Sequence, residues 1–277
     1  MRPDAFLTEH NGEEIIRIGG YLLPREDFNL AKFLRDDLGT TWLHAGGMPS
    51  TRRLVEMLDI KPGMRVLDLG CGVGSAARYI ARNTGATVLG VDRDAEMIAR
   101  ARSASRGDIE RRIQYEIMEV TRTGLPDHQF DRIVVQSVAC FNDKPALFRE
   151  VARLLKPGGL LGLNEVTWLQ PPTEKIEQVM CATICETFHG ALLAEDWMRA
   201  LSDAGLVDLR HEKHPFNAAT PYQILREEGL LNTVKVMWRV FSKPEINMRL
   251  GAMSDFFKKC PEHFSYGLYT ARLPEID

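Results

Sequence analysis

The sequence lacks the features that mark membrane-spanning, exported and nucleic-acid-binding proteins. No run of about 18 apolar residues occurs, so we expect no transmembrane segment, and residues 1–14 are too polar for a secretory signal. The 35 basic and 38 acidic residues give a formal net charge of -3, which supplies no general field to attract nucleic acid. These absences predict a cytoplasmic protein with no nucleic-acid partner.

Cysteine is scarce, and its positions predict neither a disulfide framework nor a metal site. The five cysteines are an odd number and are scattered, which favours reduced thiols. Cys181 and Cys185 lie four residues apart on one face of a predicted helix, but two further soft ligands at suitable spacing are missing. We therefore expect core packing there and no metal. Cys140 is interpreted in the same way, as a small core residue rather than a nucleophile.

One short stretch, Arg65–Gly74, combines an apolar strand with an unusual density of glycine. The strand ends at Asp68, and Gly70, Gly72 and Gly74 follow at every second position before a predicted helix. Glycine tolerates positive φ and has no Cβ to collide with a ligand, so this loop predicts a nucleotide-like group lying against the backbone. The spacing is G-x-G-x-G, which differs from the G-x-G-x-x-G of the dinucleotide fingerprint.

A second acid, Asp92, lies 18 residues beyond Gly74, at the end of the apolar run Val88–Val91. A carboxylate at a strand end can accept hydrogen bonds from both vicinal hydroxyls of a ribose. The alternative is a helix N-cap, since Asp92-Arg-Asp-Ala opens the next predicted helix. With the glycine loop upstream, ribose binding is the favoured interpretation.

Strands and helices alternate regularly from residue 64, which predicts a parallel sheet with helices on both faces. In 277 residues there is room for one such domain with additions. The predicted strands are Arg65–Asp68, Thr87–Asp92, Ile113–Glu119, Phe130–Gln136 and Leu160–Val166, with Leu206–Glu212 and Tyr266–Ala271 as a closing hairpin. Ligands on such sheets bind at the carboxyl ends of the strands. We therefore expect the functional residues within 68–74, 136–141 and at Asp92, Glu119 and Glu165.

The remaining segments predict helical additions to this sheet. Residues 1–59 are interpreted as an N-terminal helical lid, with helices at Phe28–Leu38 and Ser50–Leu58. The loop between them carries Trp42 and His44, which either reach a ligand or pack the helices together. Residues 60–277 form the α/β domain, with cap segments at about 167–193, where Thr173–Phe188 is amphipathic, and at about 213–265. The cap helices are a candidate surface for a homodimer.

The chain resembles class I S-adenosylmethionine-dependent methyltransferases over about residues 45–210. The resemblance depends on the glycine loop, Asp92, the segment Glu119–Asp131 with its Leu-Pro and Phe-Asp pairs, and Lys156-Pro-Gly-Gly159. It is similar to the sarcosine/dimethylglycine, phosphoethanolamine and ubiquinone/menaquinone-type groups. This resemblance implies an α/β, Rossmann-like, mostly parallel sheet of seven strands.

The resemblance also implies S-adenosylmethionine as cofactor and a role for each matching residue. Asp68 would hold the methionine end, and Glu119 with the backbone of Val120 would read the adenine, although a salt bridge from Glu119 to Arg122 is the competing interpretation. Gln136 and Ser137 would form the wall between cofactor and acceptor. The full set is Asp68, Gly70, Cys71, Gly72, Gly74, Asp92, Arg93, Met97, Glu119, Val120, Gln136 and Ser137.

The implied reaction is an in-line displacement of the methyl group, in which positioning of the two reactants can contribute about 7–11 kcal/mol. An acceptor that must lose a proton also needs a general base. Candidates are Glu165, His44, His189 and Tyr21, with Glu165 favoured because it ends a sheet strand. Alternatively, Glu165 pairs with a neighbouring cation or holds a cationic amine substrate. Many relatives carry a histidine near position 140 or 141, where this chain has Cys140-Phe141.

The leading hypothesis is methyl transfer to nitrogen, carbon or oxygen of a small molecule. A protein or nucleic-acid methyltransferase is disfavoured by the absence of a basic tract. A non-catalytic S-adenosylmethionine-binding protein is a further hypothesis, because the glycine loop and Asp92 predict binding and not turnover. An NAD-dependent dehydrogenase is another, because a strand, a glycine loop and a following acid also occur in dinucleotide-binding proteins.

Overall fold

The computed structural model of the protein describes residues 5–10, 13–18, 21–24, 32–174, 176–177, 180, 190–215, 221–259 and 261–275. Two compact units divide the chain. The first comprises Met1–Leu43, Trp168–Gly190 and Pro215–Ser265, and the second comprises His44–Thr167, Ala191–His214 and Tyr266–Asp277.

The strands of the described residues follow in chain order. They are β1 (Ala5–His10), β2 (Glu13–Ile18), β3 (Tyr21–Pro24), β4 (Arg65–Leu69), β5 (Thr87–Asp92), β6 (Ile113–Ile117), β7 (Phe130–Gln136), β8 (Leu155–Trp168), β9 (Leu192–Leu193), β10 (Val207–Pro215) and β11 (Phe264–Arg272).

The helices likewise follow in chain order. They are α1 (Phe33–Leu38), α2 (Gly47–Met57), α3 (Ser75–Thr84), α4 (Ala95–Ala104), α5 (Lys144–Leu154), α6 (Ala194–Asp203), α7 (Pro221–Ser242) and α8 (Pro244–Lys259), with short helical turns at Gly107–Arg112 and Ala139–Phe141. Within the described residues, no helix is both long enough and apolar enough to cross a membrane.

The second unit is built on a sheet with the order β10-β11-β8-β7-β4-β5-β6, and β9 pairs with β8. The strands from β4 to β8 that neighbour one another pair in parallel. This confirms the predicted α/β, mostly parallel, Rossmann-like class and the pairing of the last two strands. The predicted count of seven strands was wrong, because the two-residue β9 is too short to leave a periodic pattern in the sequence.

Helices cover both faces of this sheet, which is why its central strands are almost continuously apolar. On one face, Phe148 of α5 and Trp197 of α6 are fully buried. On the other, Leu54 of α2, Ile80 of α3 and Ile98 of α4 form a second buried cluster. The sheet between these clusters fixes the strand ends where the candidate site lies.

The first unit contains an antiparallel sheet in the order β1-β2-β3, which the prediction of an N-terminal helical lid at 1–59 did not include. The helices predicted at Phe28–Leu38 and Ser50–Leu58 correspond in part to α1 and α2. His10 pairs with Glu13, and Ile18 pairs with Tyr21, so two residues connect each pair of strands. Those connections read Asn-Gly at 11–12 and Gly-Gly at 19–20, and both are strong two-residue hairpin signals that the helical interpretation overlooked.

The helices of the first unit share a small apolar core, in which Phe33 and Leu38 of α1 pack with Val236 of α7 and Ile246 of α8. Helix α7 is interrupted at Gly229, where φ is 74° and ψ is 166°. Most of the predicted helix Thr173–Phe188 lies outside the described residues, as do Cys181 and Cys185. The assignment of residues 1–59, 167–193 and 213–265 to a lid and cap stays a prediction.

Candidate functional site

The glycine loop after β4 turns through three left-handed residues, with φ of 77° at Gly70, 52° at Gly72 and 76° at Gly74. A Cβ added at Gly70 would lie 2.3 Å from Val138 Cγ2, and one added at Gly74 would lie 2.4 Å from the Tyr115 hydroxyl. These two glycines are therefore required by the protein's own packing. The glycine pattern predicts a ligand beside all three, since Val138 and Tyr115 are too distant in the sequence to form part of that pattern.

Asp92, at the end of β5, holds the glycine loop. Its Oδ2 accepts a hydrogen bond from the backbone N–H of Gly72 at 2.9 Å, and its Oδ1 accepts one from Asp94 at 3.0 Å. Asp94, and not Asp92, is the N-cap of α4, where its side chain accepts from the backbone N–H groups of Glu96 and Met97. The N-cap alternative for Asp92 is thus wrong. Burial raises the pKa of Asp92, although the two backbone donors oppose that shift.

Asp68 is a buried carboxyl at the start of the same loop, with 2% of its surface exposed. The backbone N–H of Ala77 donates to this carboxyl, but its Oδ2 has no hydrogen-bond partner among the described residues. Burial, reinforced by the charge of Asp92, raises the pKa of Asp68 from 3.8 to about 7. A buried acceptor without a donor is costly unless a ligand supplies one.

Glu119 lies just beyond β6 and is exposed. Its Oε1 accepts from the backbone N–H of Val120 at 3.2 Å, and its carbonyl accepts from the backbone N–H of Arg122 at 3.1 Å. The side chains of Glu119 and Arg122 are both described, and no ion pair joins them. The competing salt bridge is therefore replaced by a backbone turn. The amide expected to read the adenine is engaged by Glu119 itself in this structure.

A polar cluster joins the loop before α2 to the ends of β7 and β8. His44 Nε2 lies 3.0 Å from the Thr51 hydroxyl, which donates to Gln136 Oε1 at 3.0 Å. His44 Nδ1 lies 3.2 Å from the carbonyl of Ala45, and Asn164 Nδ2 donates to the same carbonyl at 2.9 Å. Burial lowers the pKa of His44 from 6.5 to about 4, despite the contact with Ala45. The imidazole is therefore neutral at pH 7.

Two polar atoms of this cluster remain without hydrogen-bond partners in the described residues: Gln136 Nε2 and Asn164 Oδ1. Ser137, next to Gln136, adopts a φ of 53°, and its backbone N–H donates to the carbonyl of Asn164 at 2.8 Å. Its hydroxyl accepts from the backbone N–H of Ala45 at 3.3 Å. Gln136 and Ser137, predicted from the sequence, are thus brought together with His44. Thr51 and Asn164 were missed, although Asn164 stands out as a polar residue in an apolar strand.

Glu165 is fully buried, with no exposed surface. Its Oε1 accepts from the backbone N–H groups of Val138 at 2.7 Å and Ala139 at 2.6 Å, and its Oε2 has no partner among the described residues. Burial raises the pKa of Glu165 from 4.5 to about 7, against the effect of those two donors. Glu165 therefore anchors the backbone after β7. Burial and Glu165 both raise the pKa of the Cys140 thiol, as expected for a core cysteine.

The other predicted residues lie partly within and partly outside the described residues. Cys71 and Met97 are buried, and Arg93 is exposed. Tyr21 belongs to β3, but its side chain lies outside the described part of the structure, and His189 lies outside the described residues altogether. Within the described residues, no group of three or more acidic, histidine or cysteine side chains is arranged to hold a metal.

Comparison with known proteins shows the family of the chain. A family model described as "Methyltransferase domain" matches residues 67–163. Methyltransferase GfsG of Streptomyces halstedii is 39% identical over 221 residues, which cover 73% of this chain and 78% of that protein. The chain belongs to the S-adenosylmethionine-dependent methyltransferases. The predicted resemblance is thereby confirmed.

For other relatives, the alignment with this chain covers only a part of their length. Phosphoethanolamine N-methyltransferase of Triticum aestivum is 31% identical over 172 residues, which cover 62% of this chain and a 33% share of that protein. The chain thus spans about a third of the length of that relative.

Solved structures share the fold. Phosphoethanolamine N-methyltransferase 2 of Haemonchus contortus superposes with a TM-score of 0.68 at 20% identity, over 92% of this chain and 62% of that one. The [4+2]-cyclase SpnF superposes with a TM-score of 0.61 at 23% identity, over 82% of this chain and 80% of that one.

Proposed function

We propose that this methyltransferase transfers the methyl group of S-adenosylmethionine to nitrogen, carbon or oxygen of a small-molecule acceptor. The observation that carries the cofactor assignment is the buried Asp68 Oδ2, which has no partner among the described residues at the glycine loop. The amino group of a methionine moiety is a cationic donor that fits such an oxygen. When bound, the cofactor supplies an electrophilic methyl group on a sulfonium, so this chain has to bind and orient both reactants.

The carboxylate of Asp92 is suited to the ribose even though both of its oxygens already accept backbone hydrogen bonds. A carboxylate has about four lone-pair sites, so two remain after the contacts with Gly72 and Asp94. The same contacts fix the carboxylate against the loop. Preorganisation of this kind lowers the entropy lost when a ligand binds. We propose Glu119 as the adenine contact, with the Val120 N–H released from it when the ligand binds.

Of the candidate bases, His44 is more accessible than Glu165, because His44 is partly exposed. Burial lowers the pKa of His44 to about 4, so its imidazole is unprotonated at pH 7, although this also makes it a weak base. Glu165 has one oxygen fixed by two backbone amides, and it is completely buried. We propose His44 as the proton acceptor for acceptors that lose a proton, with Thr51 fixing its ring. Tyr21 and His189 remain candidates.

The names of relatives support a small acceptor. They include methyltransferases of phosphoethanolamine and of sterols, the latter 36% identical over 118 residues in Aspergillus fumigatus. The net charge of -3 gives no support for a nucleic-acid substrate. The buried, unpaired thiols of Cys71 and Cys140 agree with a reducing compartment, and we propose the cytoplasm.

The cofactor site is tested by calorimetric titration of S-adenosylhomocysteine into Asp92→Asn and, as the matched control, Asp94→Asn. Gly72 and Asp94 donate to different oxygens of Asp92, and an amide replaces one of those oxygens by an NH₂ donor, so we expect affinity to fall at least tenfold, equivalent to about 1.4 kcal/mol. Asn caps helices as well as Asp, so the control should bind nearly as the wild type does. Equal affinity in both variants would contradict the assignment.

The acceptor class is tested by incubating the enzyme and methyl-labelled cofactor with a cell extract separated by size. We expect the label in the small-molecule fraction. Label confined to protein or nucleic acid would refute a small acceptor. Cofactor binding without transfer to any fraction would instead favour a non-catalytic binding protein. Gly72→Val, which adds a branched side chain where φ is 52°, is the control that should abolish binding while the fold persists.

A further inference from the structure

Helix α7 exposes a stripe of large apolar side chains beyond its break at Gly229. The exposed fractions are 69% for Leu230, 81% for Leu231, 59% for Val234, 72% for Trp238 and 75% for Phe241. These five side chains are called the α7 stripe below. At 3.6 residues per turn they fall within an arc of about 100° on one side of the helix.

The α7 stripe is not the face by which α7 packs in its own unit. Val236 is fully buried with Phe33, Leu38 and Ile246, and Thr233 is also buried. Val236 lies on the opposite side of the helix from the α7 stripe, and Thr233 lies between the two. The helix therefore has two apolar sides, and one of them remains exposed.

We propose that the α7 stripe pairs with the α7 stripe of a second copy of this chain, with the two helices antiparallel about a two-fold axis near residue 236. Leu231, Val234, Trp238 and Phe241 follow the alternating three- and four-residue spacing of a coiled-coil seam. An isologous interface requires a patch that is complementary to itself. This spacing is symmetric about residue 236, so antiparallel pairing meets that requirement.

The size of the side chains in each layer agrees with this register. Val234 faces Trp238 of the second copy, and Leu231 faces Phe241, so each layer combines a large residue with a smaller one. Parallel pairing would instead place Trp238 against Trp238. Interdigitation of large and small side chains is what packing at native density requires.

The exposed area is also suited to a dimer. Aromatic side chains bury 150–250 Å² each, so the α7 stripe presents on the order of 600 Å² per copy, and about 1,000 Å² in total is the lower bound of a specific interface. A monomer seldom leaves a larger apolar patch than this in contact with water. The pairing is independent of the methyltransferase reaction, and its test uses no activity.

The test is the mass of the full chain by light scattering during size exclusion, for the wild type, Trp238→Glu and the control Lys235→Glu. Lys235 is exposed on the same helix outside the α7 stripe. We expect a dimer for the wild type and for Lys235→Glu, and a monomer for Trp238→Glu, with unchanged far-ultraviolet circular dichroism in all three. A monomeric wild type, or a dimer that persists in Trp238→Glu, would overturn the proposal.

The register is tested by oxidative crosslinking of the double variant Val234→Cys/Trp238→Cys. In the antiparallel register, residue 234 lies opposite residue 238 of the second copy, and a disulfide forms where the Cα atoms are about 4.4–6.8 Å apart. We expect covalent dimers from the double variant and not from the wild type or either single variant. Efficient crosslinking of a single variant would show parallel pairing instead. A monomeric wild type that sediments with vesicles of phosphatidylcholine and phosphatidylglycerol would identify a membrane surface as the occupant.

Discussion

Replacement of Glu165 by Gln tests whether ionisation of this buried, hydrogen-bonded side chain destabilises the folded protein. Glutamine retains an oxygen that can accept from the backbone N–H groups of Val138 and Ala139, which Glu165 holds at 2.7 and 2.6 Å. It removes the ionisation of the carboxyl. The variant therefore separates the hydrogen bonds of position 165 from its charge.

The magnitude follows from the pKa of Glu165, which burial raises from 4.5 to about 7. Between these values the folded protein keeps a proton that the unfolded chain has lost, so the stability of the wild type falls as pH rises. Each pKa unit corresponds to 1.36 kcal/mol, and the whole window to about 3 kcal/mol. The variant has no such loss. From pH 4.5 to pH 7, the free energy of unfolding of the variant minus that of the wild type should therefore increase by about 3 kcal/mol.

The assay is urea unfolding of both proteins at several pH values from 5 to 8. Glu150→Gln is the control, because burial raises the pKa of Glu150 but hydrogen bonds from Arg153 and Thr123 outweigh burial and lower it. Above pH 5 that carboxyl is ionised in both states, so the difference between control and wild type should not change with pH. Parallel curves for the wild type and Glu165→Gln would refute the reasoning. They would mean that the carboxyl ionises freely in the folded protein.

Two further predictions concern the glycine loop. Gly74→Ala should destabilise the protein more than Gly63→Ala in thermal unfolding. Both positions have positive φ, which costs about 1–2 kcal/mol in each variant, but only at Gly74 would the added Cβ meet Tyr115, at 2.4 Å, whereas nothing lies within 4 Å at Gly63. Equal losses of stability in the two variants would contradict the packing argument. The affinity for S-adenosylhomocysteine should fall as pH drops below the pKa of about 7 of Asp68, because a cationic group binds the ionised carboxylate. A similar fall in the Asp68→Asn variant would assign this pH dependence to another group.

Much of the second unit could be predicted from sequence because its signals are local. The predicted bounds of β5 and β7 agree with the structure at both ends, and helices follow the glycine loop and Asp92 as predicted. Strands buried on both faces are short apolar runs, and the helices between them have a clear period. The first unit was predicted less well. Its hairpins depend on two-residue turns, which were outweighed by the expectation of a helical lid.

The candidate site was predicted only in part, because residue type does not reveal what a side chain contacts. The N-cap alternative for Asp92 was wrong, since Asp94 caps α4, and the favoured ribose interpretation stays a prediction. The glycines at 70 and 74 were assigned to a ligand, whereas their neighbours are Val138 and Tyr115. Both contacts join residues far apart in the sequence, and no local pattern contains them.

The two buried acids near this loop show how its stability and its chemistry are connected. Asp68 and Glu165 each have a pKa of about 7, and each has one oxygen without a partner among the described residues. Acids whose pKa is raised by burial destabilise the folded state at neutral pH. A cationic ligand group at Asp68 would lower that pKa again, so cofactor binding would recover stability that the free protein lacks. In Glu165, by contrast, the backbone N–H groups of Val138 and Ala139 already donate to Oε1, which makes its role that of an anchor.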